Sequence, residues 1–265
     1  MSDAEWLVTE PLLPLAAWRW WKGGRPEEHC RRVIVDAIRY VVDNGCKWRA
    51  LPADFPPHAT VYFFFVRWER AQAVDDLHDR LRDRLRRREG RDAEPSAAIV
   101  DSQSLRAAET VATTGRGWDA GKKVNGTKRH VAVDTLGLLL VVLVTAASVQ
   151  DRDGGRPLLM RLRQIHHRIQ RVWADGGCAG RLVTWAKARL ALTVEIVERS
   201  DDMTGFVVLP RRWVVERMLS WICRRRRCVR DYERLPDHHE AMVKWSVIIL
   251  MTRRLARSSA VSRAT

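Results

Sequence analysis

The stretch that constrains this chain most is Ala97-Ala98-Ile99-Val100-Asp101, four small or apolar residues running directly into an acid. Such a run belongs inside a core. A carboxylate at its end stands where the dielectric is low and its charge is costly unless something binds it. The pattern returns twice, as Val172-Trp173-Ala174 into Asp175 and Trp213-Val214-Val215 into Glu216. The chain around these acids is strongly basic, with 47 Lys and Arg against 32 Asp and Glu and a net charge of +15. Three buried-edge acids in a basic chain point to a divalent-metal site facing a polyanion, with nucleic acid the leading partner.

At 265 residues and 46% hydrophobic content, the chain can bury a full core in one large domain or in a small domain plus a larger one. The five cysteines (Cys30, Cys46, Cys178, Cys223, Cys228) are odd in number and form no Cys-x-x-Cys pair. They fit a reducing cytoplasm rather than a disulfide framework or a zinc knuckle. The N-terminus is acidic and lacks a secretory pattern, and the apolar run from Leu138 to Val144 is too short to cross a bilayer. A cytoplasmic, nucleoid-associated protein with no membrane partner is expected.

Residues 1–90 read as helices. Ser2 or Asp3 caps the first. A second is expected over Glu28–Asp43 and stops at Asn44-Gly45, a third over Thr60–Arg70, and a fourth over Asp75–Arg88. Leu77, Leu81 and Leu85 form the apolar stripe of the fourth, with arginines expected on its other sides. Short helices, tight breaks and interspersed arginines fit a helix-turn-helix-like DNA-binding module; a helical packing domain fits them too. The polar stretch Gly90–Ser96 marks a boundary.

Beyond it the pattern predicts a strand at Ala97–Val100, a glycine-rich loop over Ser102–Gly126 and a hairpin of Arg129–Asp134 with Leu138–Val144. A helix then covers Arg156–Arg168, a strand Arg171–Ala174, a helix Leu182–Arg189 and a strand Thr193–Val197. A short extended piece at Gly205–Leu209 precedes helices over Trp213–Arg227 and Glu240–Leu255. This is a mixed α/β domain. Asp101 and Asp175 would end neighbouring strands, and Glu216 would lean over them from a helix. Carboxylates are the hard oxygen ligands that Mg²⁺ takes. Two such ions about 4 Å apart serve in-line phosphodiester chemistry.

Several phrases sharpen this. They are Ala98-Ile99-Val100-Asp101-Ser102-Gln103-Ser104, Gly121-Lys122-Lys123 with Lys128-Arg129-His130, Ala174-Asp175-Gly176-Gly177, and Pro210-Arg211-Arg212-Trp213-Val214-Val215-Glu216-Arg217. Thr145–Asp153, Arg230–Met242 and Trp48-Arg49-Ala50-Leu51-Pro52 add to them. On these residues the chain resembles the DDE transposases of bacterial insertion sequences.

The resemblance covers nearly the whole chain. It implies an RNase H-like mixed five-stranded sheet flanked by helices over 91–258, preceded by a small all-α helix-turn-helix-like domain over 1–90 and followed by a polar tail at 259–265. It implies an enzyme that binds terminal inverted repeats of double-stranded DNA, hydrolyses phosphodiesters and joins the freed ends to target DNA. Asp101, Asp175 and Glu216 would be the catalytic triad and the ligands of two Mg²⁺ ions, or of Mn²⁺ in their place. A homodimer or larger synaptic complex follows from the need to hold two ends.

The family signature Tyr-x2-Arg-x3-Glu-x6-Lys is met at Arg212 and Glu216, while Leu209 and Cys223 stand at the tyrosine and lysine places and Arg224 follows one residue later. Those departures keep two alternatives open: a catalytically decayed copy that only binds DNA, and an RNase H-like nuclease without transfer. Nine arginines between 211 and 234 face three acids. With the loop cations they give the DNA-contact candidates Arg116, Lys122, Lys123, Lys128, Arg129, Arg211, Arg212, Arg217, Arg224 and Arg227. Asp119, Asp134, Asp151 and Asp153 are expected in turns, and the pairs His166-His167 and His238-His239 at the surface or at helix ends.

Overall fold

In a computed structural model, residues 1–15, 26–197 and 211–261 are described, with side chains through 257. The Gly205–Leu209 piece and residues 262–265 of the expected tail lie outside them; residues 259–261 fall within the last helix.

The N-terminal part is helical: α1 (Asp3–Thr9), α2 (Arg31–Asn44), α3 (His58–Arg70) and α4 (Ala73–Arg88). Ser2 caps α1 in a full capping box with Glu5. Gly45 ends α2 in the left-handed region at φ 69°, a conformation glycine adopts without strain. α2 buries Ile34, Val35, Ala37, Ile38, Val41 and Val42. On α3, Val61, Phe64, Phe65 and Trp68 are core, while Tyr62 and Phe63 are exposed. α4 buries its leucine stripe but also Arg82 and Arg86, which the pattern assigns to solvent. Arg82 is paired with Asp79 and Asp83, and Arg86 reaches across to Asp134 in the sheet.

The sheet comprises β1 (Ala97–Arg106), β2 (Gly117–Asp119), β3 (Val124–Val133), β4 (Leu139–Ala146), β5 (Arg171–Ala174) and β6 (Thr193–Ile196). β3 pairs antiparallel with β1, β2 and β4, while β5 pairs parallel with β1 and with β6. This is the RNase H-like mixed sheet, with β2 as a sixth short strand. The segment read as a loop over 102–126 also holds strand: β1 continues five residues past Asp101, and β2 and β3 form a hairpin, with irregular chain between β1 and β2. Glycine content misled that reading. Gly126 is needed because β1 passes so close that a Cβ there would collide with Leu105 O and the Ala107 N. Gly126→Ala is expected to destabilise the fold by about 3 kcal/mol or more, as overpacking against rigid backbone does; chemical denaturation checks it.

Helices cover both faces. α5 (Asp151–Ile165) and α6 (Arg181–Leu190) enclose a core with Ala98, Val100, Val172 and Ala174. α7 (Arg212–Cys223) and α8 (Pro236–Val261) close the other face over Ile99, Val131 and Trp173. That second core runs without a break into the N-terminal helices, with Ile38, Phe65, Leu81 and Trp245 in one cluster. α5 starts at Asp151, earlier than expected, and leaves Ile165 exposed. His166 caps the end of α5, and His238 and His239 lie in the first turn of α8, the helix ends expected, but all three are buried rather than at the surface, and His239 Nδ1 lies 3.0 Å from Asp231.

Candidate active site

Strand alternation sets the site. Ile99 belongs to the core under α7 and α8, and Ala98 and Val100 to the core under α5 and α6. Asp101 therefore falls on the α7 face and Ser102 on the α5 face. The parallel pairing of β1 with β5 ends at Ile99–Trp173, so Asp101 lies just past the paired stretch, within β1 rather than at its end. Asp175 follows β5 directly and opens a 3-10 turn over Gly176–Cys178.

The two acids are brought together. Asp101 titrates at about 6, pushed up by burial and by the charge of Asp175; the Ser102 backbone N–H, donating at 2.7 Å, and the charges of Arg212 and Lys122 act against this. Cys178 is pushed up to about 12 by its own burial, then by the charges of Asp175, Asp151 and Asp101. A half-buried carboxylate with the charge of a second acid beside it is relieved by a divalent cation, so these two residues fit a Mg²⁺ or Mn²⁺ ion.

Glu216 stands apart from this pair. It rides on α7, which covers the Asp101 face, but its side chain is 56% exposed and its nearest charge is Arg212, at 3.9 Å. Among the described residues no three acids, histidines or cysteines close on one ion.

The cationic candidates divide by environment. Lys122, Lys123, Arg211 and Arg224 are exposed, and Arg116, Arg212 and Arg217 are half-buried. Lys122 Nζ reaches Ser102 O at 3.3 Å, and Arg211 lies over the Trp173 ring at 4.0 Å. Arg217 is held between the Trp213 and Trp221 rings and donates to Leu136 O. Arg129 and Arg227 are corrected: neither is free to meet a phosphate. Arg129 is fully buried and binds Gln103, Cys228 O and Cys223 Sγ, while Arg227 is buried against Glu233 and Cys46 O. Lys128 is also buried, with its Nζ on Val149 O and Asp151 Oδ1 at 2.8 and 3.0 Å. Cys223, at the lysine place of the signature, points inward to Arg129; Leu209, at the tyrosine place, is outside the described residues.

Two acids given turn roles do occupy turns. Asp119 accepts from the Gly121 and Lys122 N–H groups and from Ser104 Oγ, the Ser104 bond doing most to hold it down at about 2. Asp134 accepts from the N–H groups of Leu136 and Leu138. Asp151 does more than the sequence suggested. It begins α5 beside the Asp175 turn, and burial, which would raise its carboxyl, is outweighed by bonds from Ser102 and Lys128 that hold it below the usual range. In the sequence, Asp151 shows only as part of the Thr145–Asp153 phrase, ahead of where the helix was expected to begin.

Comparison with known proteins identifies the family. The family model described as "Transposase DDE domain" matches residues 92–251, and "Putative transposase of IS4/5 family" matches residues 1–78. A Burkholderia cepacia protein, "Putative transposase for insertion sequence element IS402", is 29% identical over 140 residues, which span 50% of this chain and 66% of that protein. "Insertion element IS402 uncharacterized 16.2 kDa protein", from the same organism, is 33% identical over 109 residues, 40% of this chain and 73% of that protein. A solved structure, "Drosophila P element transposase strand transfer complex", aligns over 71% of this chain and 46% of its own at 15% identity and a TM-score of 0.33. The first family match takes in more than half of the chain, including all three acids singled out in the sequence, and the chain accordingly belongs to the DDE transposases of insertion sequences.

Proposed function

We propose that this transposase binds the terminal inverted repeats of its element and carries out divalent-metal-dependent DNA cleavage and strand transfer, both as in-line displacements at one site. The observation that carries the reading is the placement of two half-buried acids at neighbouring parallel strands, Asp101 on β1 and Asp175 directly after β5, close enough that the charge of Asp175 helps to push the Asp101 carboxyl up. Asp101 and Asp175 would hold Mg²⁺, with Glu216 joining from α7. The bound metal would supply Lewis-acid activation of the attacking oxygen and neutralisation of the leaving one. Arg212 and Lys122 set the positive field around the acids, and exposed Lys123, Arg211 and Arg224 offer contacts to the backbone of a strand entering there. In this reading residues 1–90 recognise element ends and 91–258 form the catalytic unit, acting in a dimer or larger synaptic complex in the cytoplasm. A strand-transfer assay with cognate ends, a target plasmid and Mg²⁺, run beside Glu216→Gln, tests it. Joined product lost in the variant is expected; equal product from both proteins overturns the role of Glu216.

A decayed, DNA-binding copy is the second reading, favoured by the exposed position of Glu216 and by Cys223 at the lysine place. It predicts that the wild-type protein binds the ends but makes no metal-dependent nick.

Phosphate contact is expected from the exposed arginines after α7. Replacing Arg224, Arg226 and Arg230 together by Ala should weaken DNA binding and flatten the dependence of log Kd on log salt by about 2 to 3, near 0.9 per lost contact. Arg129→Met serves as the contrast: it should lower stability, since three acceptors lose their buried donor, and leave the salt slope unchanged in the folded fraction. Fluorescence anisotropy across a salt series reads both.

A further inference from the structure

Among the described residues, Asp151 is hydrogen-bonded through one oxygen. Its Oδ1 accepts from Ser102 Oγ at 2.7 Å and from Lys128 Nζ at 3.0 Å. Its Oδ2 faces Gly177, as does Asp175 Oδ1: a Cβ at Gly177 would lie 3.3 Å from each. The two carboxylates thus flank a space that the absent side chain of Gly177 keeps open. The backbone there is not in the left-handed region, so conformation does not demand glycine at 177; the space between the two oxygens is what it preserves.

The holding network reaches deep. Lys128 Nζ is buried between Asp151 at 3.0 Å and Asp119 at 3.5 Å, and Asp119 is fixed in turn by Ser104 Oγ at 2.5 Å. Ser102 belongs to the same strand as Asp101 and is its immediate neighbour, so β1 positions Asp101 with one residue and Asp151 with the next. Lys128, expected to touch DNA, instead orients an acid at the site.

We propose that Asp151 is a positioning residue of the Asp101–Asp175 cation site, its Oδ2 accepting from water bound to the cation on the Asp175 side. This rests on the reading that Asp101 and Asp175 hold a divalent cation. The three acids do not close on one ion directly, and Mg²⁺ keeps several of its waters, so a carboxylate one water away is the form the role takes. Ser102 and Lys128 occupy Oδ1 so that Oδ2 is the oxygen presented.

The test is a titration of the metal-free full-length protein with Mn²⁺, without DNA, following the free-ion signal by electron paramagnetic resonance. Asp151→Asn should weaken Mn²⁺ binding about 10- to 100-fold, the range for losing an outer partner of a metal site. Gly177→Ala, which puts a methyl group between the two oxygens, should weaken it in the same direction. It also carries the test if Asp151→Asn does not fold. Asp92→Asn, at an exposed acid beside Arg168 and outside this network, should bind as wild type, which a mere dependence on any lost surface charge would not allow. Wild-type affinity in both Asp151→Asn and Gly177→Ala, with loss in Asp101→Asn, overturns the role of Asp151 alone. Wild-type affinity in Asp101→Asn and Asp175→Asn as well overturns the cation reading beneath it.

Discussion

Asp101→Asn is expected to remove metal-dependent cleavage and, at the same time, to stabilise the metal-free protein at neutral pH. The two effects have one cause. Asp101 is held half-buried beside Asp175, and this burial and the neighbouring charge push its carboxyl up to about 6, against 3.8 for a free side chain. The folded state therefore binds more protons than the unfolded one between those two values. The contribution of this group to stability is fully present below about 3.8 and lost as the pH rises through 6. Above that, the ionised form costs the native state about 2 to 3 kcal/mol, at 1.36 kcal/mol per unit of displacement. Asparagine keeps the shape and carries no charge, so the metal-free variant should melt several degrees higher than wild type at pH 7.5, and the two should converge near pH 4. Mg²⁺ should reverse the order by stabilising wild type and not the variant. Nicking of end-containing DNA should fall by roughly 10³-fold, the scale on which loss of one preorganised electrostatic group is felt. A variant that melts below wild type without metal would show that the acid is solvated, and the account of the site would fail with it.

How much of this could be read beforehand divides along physical lines. Periodicity and punctuation found the helices and most strands, because a buried face repeats regularly and because Ser2, Gly45 and Pro56-Pro57 act locally. Asp101 and Asp175 were legible because an apolar run ending in an acid is itself a statement about burial. What escaped was set by the neighbours of a residue rather than by its own type. Arg129 and Lys128 look in sequence like solvent-facing cations, yet β3 is the central antiparallel strand and its residues at 126–133 are all buried. A cation placed there must be paired inward, to Gln103 and Cys228 O in one case and to Asp151 in the other. The glycines between Ser102 and Gly126 pointed to a loop, whereas one of them exists so that two strands can touch. Asp151 was passed over for the same reason: no run or spacing marks an acid whose partners come from β1, β3 and the turn after β5.

Asp134→Asn should be among the most destabilising single changes in the chain, by about 3 to 5 kcal/mol, although Asp134 is not one of the acids of the site. Asp134 is fully buried in the β3–β4 turn, where one oxygen accepts from the N–H groups of Leu136 and Leu138 and the other pairs with Arg86 of α4. Arg86 is itself buried and also donates to Asp92 O at 2.7 Å. Asparagine can keep the turn through its carbonyl oxygen. It removes the charge that Arg86 was buried against, and an uncompensated guanidinium in a core costs that much. The contact joins the N-terminal helices to the sheet, across a core that already runs from Ile38 through Trp245 to Ile99. The loss should therefore appear as a lower midpoint of one cooperative urea transition, with the helical signal and the tryptophan fluorescence moving together. Arg86→Met combined with Asp134→Asn should recover part of the loss, because the pair is then replaced rather than broken, and the recovered part measures the coupling. Additive losses in that double variant, or helices that melt separately from the sheet, would mean that the two parts of the chain are stabilised independently and that this ion pair is incidental to their union.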